Sequence, residues 1–340
     1  PHVPTPSMAY PPDPVQSTRV VSLVPSATEV LDLIGLINRL VGRSHECDFP
    51  PAALDSPVLT TQVIPADLGP GEIDAAVRTR VAAGQPLYTM NSELLRRLAP
   101  THILTQDLCD VCSIDLESVR RVAASLPTPP EVVALNPTTF EGVLDTVLQV
   151  GIALGAERRA MEEVARLRER VFSAQEYVNP FVEGPSVAFL EWTDPLFVGG
   201  HWVPQMIERA GGRHVLNPTV AREGSGAAIG PQMAERVAGK SVVVTAERLV
   251  ESQPEWVIVC PCGVGLAGAR RMAEDLSQAT WWEDLPAVRA GRVVVVDGNQ
   301  MFARPGPRLV EAYEFLVGLL NDRPELIPAG FPAEVMPSRG

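Results

Sequence analysis

Histidine and cysteine recur in short polar blocks along this chain of 340 residues. The blocks are Ser44-His45-Glu46-Cys47-Asp48, Gln106-Asp107-Leu108-Cys109-Asp110-Val111-Cys112, Gly199-Gly200-His201-Trp202 and Cys260-Pro261-Cys262-Gly263. Thiolates and imidazoles are ligands for zinc, copper and iron. His45, Cys47, Cys109, Cys112, His201 and Cys262 are therefore candidate metal ligands, for zinc or an iron–sulfur cluster. Cys109 and Cys112 have CxxC spacing, but a second CxxC at zinc-ribbon spacing is missing. Two other readings compete: cysteines buried as small apolar residues, and a Cys109–Cys112 disulfide in an exported chain. No G-x-S-x-G elbow or P-loop is present, so neither a serine hydrolase nor a P-loop nucleotide binder is indicated.

Other side chains suit a flat organic ligand. Tyr88, Trp192, Phe197 and Trp202 could stack on one, against the alternative of ordinary core packing. Ser26, Glu46, Gln106, Glu191, Asn299 and Arg304 are polar candidates in the same loops, and His45 and His201 are the histidines in polar rather than apolar surroundings.

These blocks follow predicted strands. Arg19 to Val24 reads as a buried strand, with Ser26 as N-cap and Glu29 as capping-box partner of the helix that follows. Strands are expected at 40–44, 102–105, 131–135, 187–190, 242–245, 256–259 and 293–296. Helices are expected at 73–83, 92–98, 116–124, 202–210, 246–251, 267–276 and 307–320. Between the halves, 139–177 has no proline, and apolar residues recur at helical spacing from Val143 to Val171. That predicts one long helix, with a kink near Gly151 or Gly155.

The fold class is therefore α/β: two Rossmann-like lobes joined by one long rigid α-helix, with a ligand cleft between the lobes. The expected division is a disordered lead at 1–17, an N-terminal lobe at 18–137, a connecting helix at 138–178, a C-terminal lobe at 179–325 and a tail at 326–340. A formal net charge of −13 argues against nucleic acid and anionic lipid as partners. No apolar run is long enough for membrane insertion. With no signal peptide visible, a cytoplasmic location is favoured over a periplasmic or secreted mature chain.

The opening Arg19-Val20-Val21-Ser22-Leu23-Val24-Pro25-Ser26-Ala27-Thr28-Glu29, then Gly35-Leu36 and Leu40-Val41-Gly42, resembles the start of class III substrate-binding proteins, the helical-backbone metal receptors. The blocks SHECDFP, TQDLCDVC, EWTDPLFVGGHWVPQ, PCG and DGNQMFARPGPR look like a cobalamin-binding subgroup. The resemblance covers about residues 18–320. It implies a non-enzymatic receptor for a small metal-containing ligand, cobalamin or another corrinoid, with an ABC transporter permease as partner. His45 or His201 would approach the metal axially, and Asn299 and Arg304 would meet the polar periphery of the ring. The alternative is a direct zinc or iron–sulfur protein, or a metal- or thiol-dependent enzyme on the same fold. Under that alternative, replacing Cys109 and Cys112 by Ser abolishes bound metal in elemental analysis; under the corrinoid reading it barely changes corrinoid affinity.

Overall fold

The structure is a computed structural model that describes residues 18–65, 67–107, 115–222 and 236–337. The lead at 1–17 and the Cys109–Cys112 pair lie outside the described residues. In the first lobe the order is β1 (Val20–Ser22), α1 (Pro25–Leu33), β2 (Leu40–Arg43), β3 (Thr60–Gln62), α2 (Pro70–Ala82), β4 (Tyr88–Met90), α3 (Ser92–Leu98), β5 (His102–Thr105), α4 (Leu116–Ala124) and β6 (Glu131–Ala134). Two helices follow, α5 (Phe140–Ala153) and α6 (Glu157–Gln175). The second lobe runs β7 (Val187–Thr193), β8 (Leu196–Val198), α7 (Trp202–Arg209), β9 (Val220–Ala221), β10 (Arg236–Val237), β11 (Val242–Val243), α8 (Ala246–Glu251), β12 (Trp256–Val259), α9 (Leu266–Leu276), α10 (Pro286–Arg289), β13 (Val293–Val296), α11 (Leu309–Leu320) and β14 (Ala333–Val335).

The first lobe holds a parallel sheet in the order β2-β1-β5-β6. The second holds β11-β8-β7-β12-β13-β14, parallel through β7, β12 and β13 and antiparallel at both edges. Strand alternation splits each sheet into two faces. Val20 and Leu104 face one core, and Val21 and Ile103 face another beneath α3 and α4. In the second lobe Ile258, Val294 and Val296 join the first core, while Val257, Val259, Val293 and Val295 pack on α9. The inner faces of both sheets therefore share one continuous apolar core, filled by α1, α5, α6, α7 and α11.

The α/β two-lobe class is the expected one, but the connector differs from the single long helix expected over 138–178. The chain reverses at Leu154-Gly155-Ala156, where Gly155 takes φ +69° and ends α5. Helix α6 returns antiparallel to α5: Arg168 reaches Glu141 (3.4 Å) and Asp145 (2.8 Å). A Cβ on Gly151 would lie 2.3 Å from the Cβ of Ala160. A 3.6-residue apolar period is unchanged by such a fold-back, because both stripes still face the core. Helices α5 and α6 both bridge the lobes: Glu141 of α5 accepts from Arg209 of α7 (2.6 Å). Arg159 near the start of α6 lies beside Gly35, whereas Arg170 pairs with Glu314 of α11 (2.9 and 2.6 Å) and Gln175 accepts from Arg209 of α7 (3.0 Å).

Three further differences are local. Helix α1 starts at Pro25 with Val24 as its N-cap and no side-chain cap, so Ser26 and Glu29 do not form the expected capping box. Short strands β3, β4 and β8 form outside the expected strands. The expected tail is partly structured: β14 pairs antiparallel with β13, and Phe331 stacks on Phe315 with centroids 4.4 Å apart. Among the described residues no helix is long and apolar enough to cross a membrane.

The tight crossing at Gly151 gives a direct test. Gly151→Ala should destabilise the chain by roughly 1–2 kcal/mol in urea titration, because overpacking outweighs the gain in helix propensity. A free α5 surface there would instead give stabilisation.

Candidate functional site

The carboxyl ends of the two parallel sheets face each other, and the loops leaving β2 and β13 meet. Arg43, at the end of β2, winds the first loop around itself by donating to the carbonyls of Ser44, Cys47 and Ser56 (3.2, 3.1 and 3.2 Å). Asp297, just after β13, shapes the second. Its carboxylate accepts from the backbone N–H of Asn299 (3.0 Å), Gln300 (2.9 Å) and Leu266 (3.2 Å). The two loops are then joined by side chains. Arg304 donates to the Asp48 carboxylate (2.6 Å) and the Glu46 carbonyl (3.1 Å), and Asn299 donates to Asp48 (3.0 Å). The Oδ1 of Asn299 accepts from Arg304 as well (3.1 Å).

Beneath this contact lies Glu29 of α1. Its Oε1 is 3.6 Å from Arg304 and 4.0 Å from Arg308. Neither carboxylate oxygen has a hydrogen-bond partner, and the side chain is 1% exposed. Burial raises its pKa to about 7 against the pull of Arg304 and Arg308. Asp48 behaves oppositely: burial works against its charge, but the hydrogen bond and charge of Arg304 outweigh it and its pKa falls below the ordinary value. Residues Asn299 and Arg304 are thus engaged with the opposite lobe, not presented to a ligand's periphery as expected. Ser26 is closed off too: a Cβ on Gly306 would lie 3.2 Å from its Cα.

His45 stands at the lip of the same loop. Its backbone N–H donates to Thr60 Oγ1 (3.1 Å), and its Nδ1 lies 2.7 Å from the same oxygen. Tyr88, across the β3–β4 pair, holds its ring 5.7 Å away, centroid to centroid. The Nε2 has no hydrogen-bond partner and lies 3.9 Å from the half-exposed Glu46. Burial, aided by Arg43, lowers the His45 pKa, so the ring is neutral. In the tautomer whose Nδ1–H donates to Thr60, the buried Nε2 keeps its lone pair, the state in which imidazole ligates a metal.

The remaining candidates are scattered. Trp192 donates from Nε1 to Pro70 O of the first lobe (3.2 Å) and to Asp194 O (3.0 Å), and Phe197 pairs with it in register on β8. Glu191 is half-buried and its carbonyl accepts from the Cys262 N–H (3.0 Å). Gln106 is buried directly after β5. Trp202 is not available for stacking: it is buried in the shared core and donates to Phe302 O (2.7 Å). His201 takes φ 54° before α7, stacks on Trp202 and is depressed in pKa by burial and by Lys240.

The cysteine-lined cleft is corrected for the described cysteines. Cys47 points into the first lobe, with Sγ 3.2 Å from Ser44 Oγ, and burial pushes its thiol pKa up. Cys260 is likewise buried, raised well above the ordinary thiol range and directed at Met301 O. A buried thiol that keeps its proton is a poor metal ligand. Cys262 alone of these three is exposed. Among the described residues no group of three or more His, Cys, Asp or Glu could hold a metal ion, so His45, Cys47, His201 and Cys262 do not form the expected metal set.

Residues 125–299 match the family described as Periplasmic binding protein. No curated protein matches the sequence. Among solved structures, the periplasmic heme-binding protein RhuT from Roseiflexus sp. RS-1 is 20% identical with a TM-score of 0.63, covering 90% of this chain and 99% of that one. The periplasmic vitamin B12 binding protein BtuF of Vibrio cholerae is 17% identical with a TM-score of 0.60, covering 90% and 98%. A periplasmic heme binding protein from Pseudomonas aeruginosa is 17% identical with a TM-score of 0.62, covering 93% and 94%. The family match overturns the cytoplasmic expectation and points to a periplasmic or extracellular location.

The buried position of Arg304 predicts the effect of removing it. Arg304→Ala leaves the half-exposed Asp48 without its cation and should cost about 1–2 kcal/mol in chemical denaturation at pH 7. A change within about 0.5 kcal/mol would mean that the lobe contact carries little energy.

Proposed function

The chain belongs to the periplasmic binding protein family, in its class III, helical-backbone form, and from that premise we propose that it holds a metal-containing tetrapyrrole, a corrinoid, between its lobes. The ligand class is supported by the heme and vitamin B12 named for the structural neighbours and by the resemblance of the strand-end blocks to a cobalamin-binding subgroup. The observation that carries the reading is His45: neutral, oriented by Thr60, with an unpartnered Nε2 at the carboxyl end of β2. Clefts at that edge of parallel sheets are where such folds take ligands.

In this reading His45 supplies an axial nitrogen to the metal of the bound chelate. Tyr88 beside it flanks the ring from the first lobe, and Trp192 and Phe197, neighbours across the β7–β8 pair, flank it from the second. Glu46, Gln106 and Glu191 meet polar groups on the ligand's edge. The ligand would be delivered to an ABC transporter permease, the expected partner of a receptor of this family. The shared core and α6 limit lobe movement to small displacements, so selection rests on a largely formed cleft.

The test is titration of the purified chain with cyanocobalamin and with hemin, alongside elemental analysis of protein prepared without added metal. Binding of cyanocobalamin at micromolar affinity or tighter, with His45→Ala weaker by about tenfold or more, is the expected result. Stoichiometric zinc or iron retained by the protein, with neither chelate bound, would contradict it.

A further inference from the structure

Glu29 belongs to the first lobe, but the second lobe buries it. A Cβ on Gly306 would stand 3.1 Å from Glu29 Oε2, and Arg304 and Arg308 close over Oε1 at 3.6 and 4.0 Å. Both oxygens lack a hydrogen-bond partner, as does Nη1 of Arg308. The two arginines are engaged elsewhere. Arg304 is hydrogen-bonded to Asp48, and Arg308 gives its other nitrogen to Gln300 (3.2 Å) and lies over the Phe49 ring at 4.5 Å. A buried carboxylate left without hydrogen bonds is costly, and a proton removes most of that cost.

We propose that Glu29 couples proton binding to the apposition of the lobes: it takes up a proton when the loops after β2 and β13 meet over it and releases the proton when they part. When the contact opens, Glu29 gains water and its ordinary acidity. Opening therefore becomes easier as pH rises through the interval between 4.5, its ordinary value, and about 7. The sign follows from the raised value of the apposed state, which binds more protons than the open state across that interval. The full shift is roughly 300-fold in the opening equilibrium.

The other groups facing this contact act differently. Asp48 is held ionised by Arg304 and titrates below the interval. Glu46, raised by burial, works in the same direction as Glu29 but is half-exposed. His45, lowered by burial, works against it. Cys47 is raised by burial and stays a thiol throughout. The device needs no bound ligand, so it stands or falls separately from the chelate reading.

Hydrogen–deuterium exchange of the full chain, followed in peptides covering 44–49 and 297–308, tests it. Comparing parent and Glu29→Gln at each pH cancels the intrinsic pH dependence of exchange. At pH 4.5 the two should agree within about twofold, and at pH 8 the parent should exchange roughly a hundredfold faster or more. An equal ratio of parent to variant at both pH values would overturn the proposal. Gly306→Ala provides a second arm should Glu29→Gln fail to fold. Its added Cβ presses on Glu29 and should speed exchange in these peptides at pH 4.5 and flatten the pH dependence. A Gly306→Ala chain that kept the parent's full pH dependence would equally overturn it.

Discussion

Arg304 brings a buried positive charge from the second lobe between two carboxylates of the first, Asp48 at 2.6 Å and Glu29 at 3.6 Å. Removing an ion from water costs several kcal/mol, so the charge is tolerable there only because the surrounding loops supply hydrogen bonds with fixed geometry. Both loops are built for that. Arg43 and its three carbonyls hold the first, Asp297 and its backbone donors hold the second, and Asn299 links them. The same contact engages Asn299 and Arg304 and covers Ser26.

Stability and function are divided along the same line. The apolar core is continuous from Val20 through Leu144 and Val164 to Phe189 and Tyr313, so the two sheets share a scaffold instead of swinging on a loose linker. Polar and titratable groups collect where the strand ends face each other. A scaffold that resists large hinge motion makes small local openings at the clasp the relevant movements, and these respond to charge and protonation.

Much of this was legible in the sequence, and the failures have physical reasons. Buried parallel strands such as Val293–Val296 and Trp256–Val259 announce themselves as short apolar runs, and they form where expected. The break expected near Gly151 or Gly155 is there, but as a reversal and not a kink, because helical periodicity does not distinguish a helix that continues from one that doubles back on the same core. Ser26 and Glu29 have capping-box spacing, yet the helix starts two positions earlier, at Pro25, and Glu29 is buried. Cysteines in strand-end loops suggested a metal set, but periodicity is silent in loops and does not show that Cys47 and Cys260 turn away from the cleft. The Glu29–Arg304–Asp48 contact was missed although all three residues lie in the blocks that carry the family resemblance. The available signal was an arginine flanked by Ala303, Pro305 and Gly306, surroundings too apolar to leave its charge uncompensated.

In the proposed complex an imidazole nitrogen meets the metal of a chelate held between the lobes. The visible absorption spectrum of the chain with bound aquocobalamin tests that most directly. The predicted result is a spectrum in which imidazole has replaced water on cobalt in the parent, reverting to the water-ligated spectrum in His45→Ala while the corrinoid stays bound. Parent and His45→Ala spectra that are identical, with corrinoid bound to both, would contradict it.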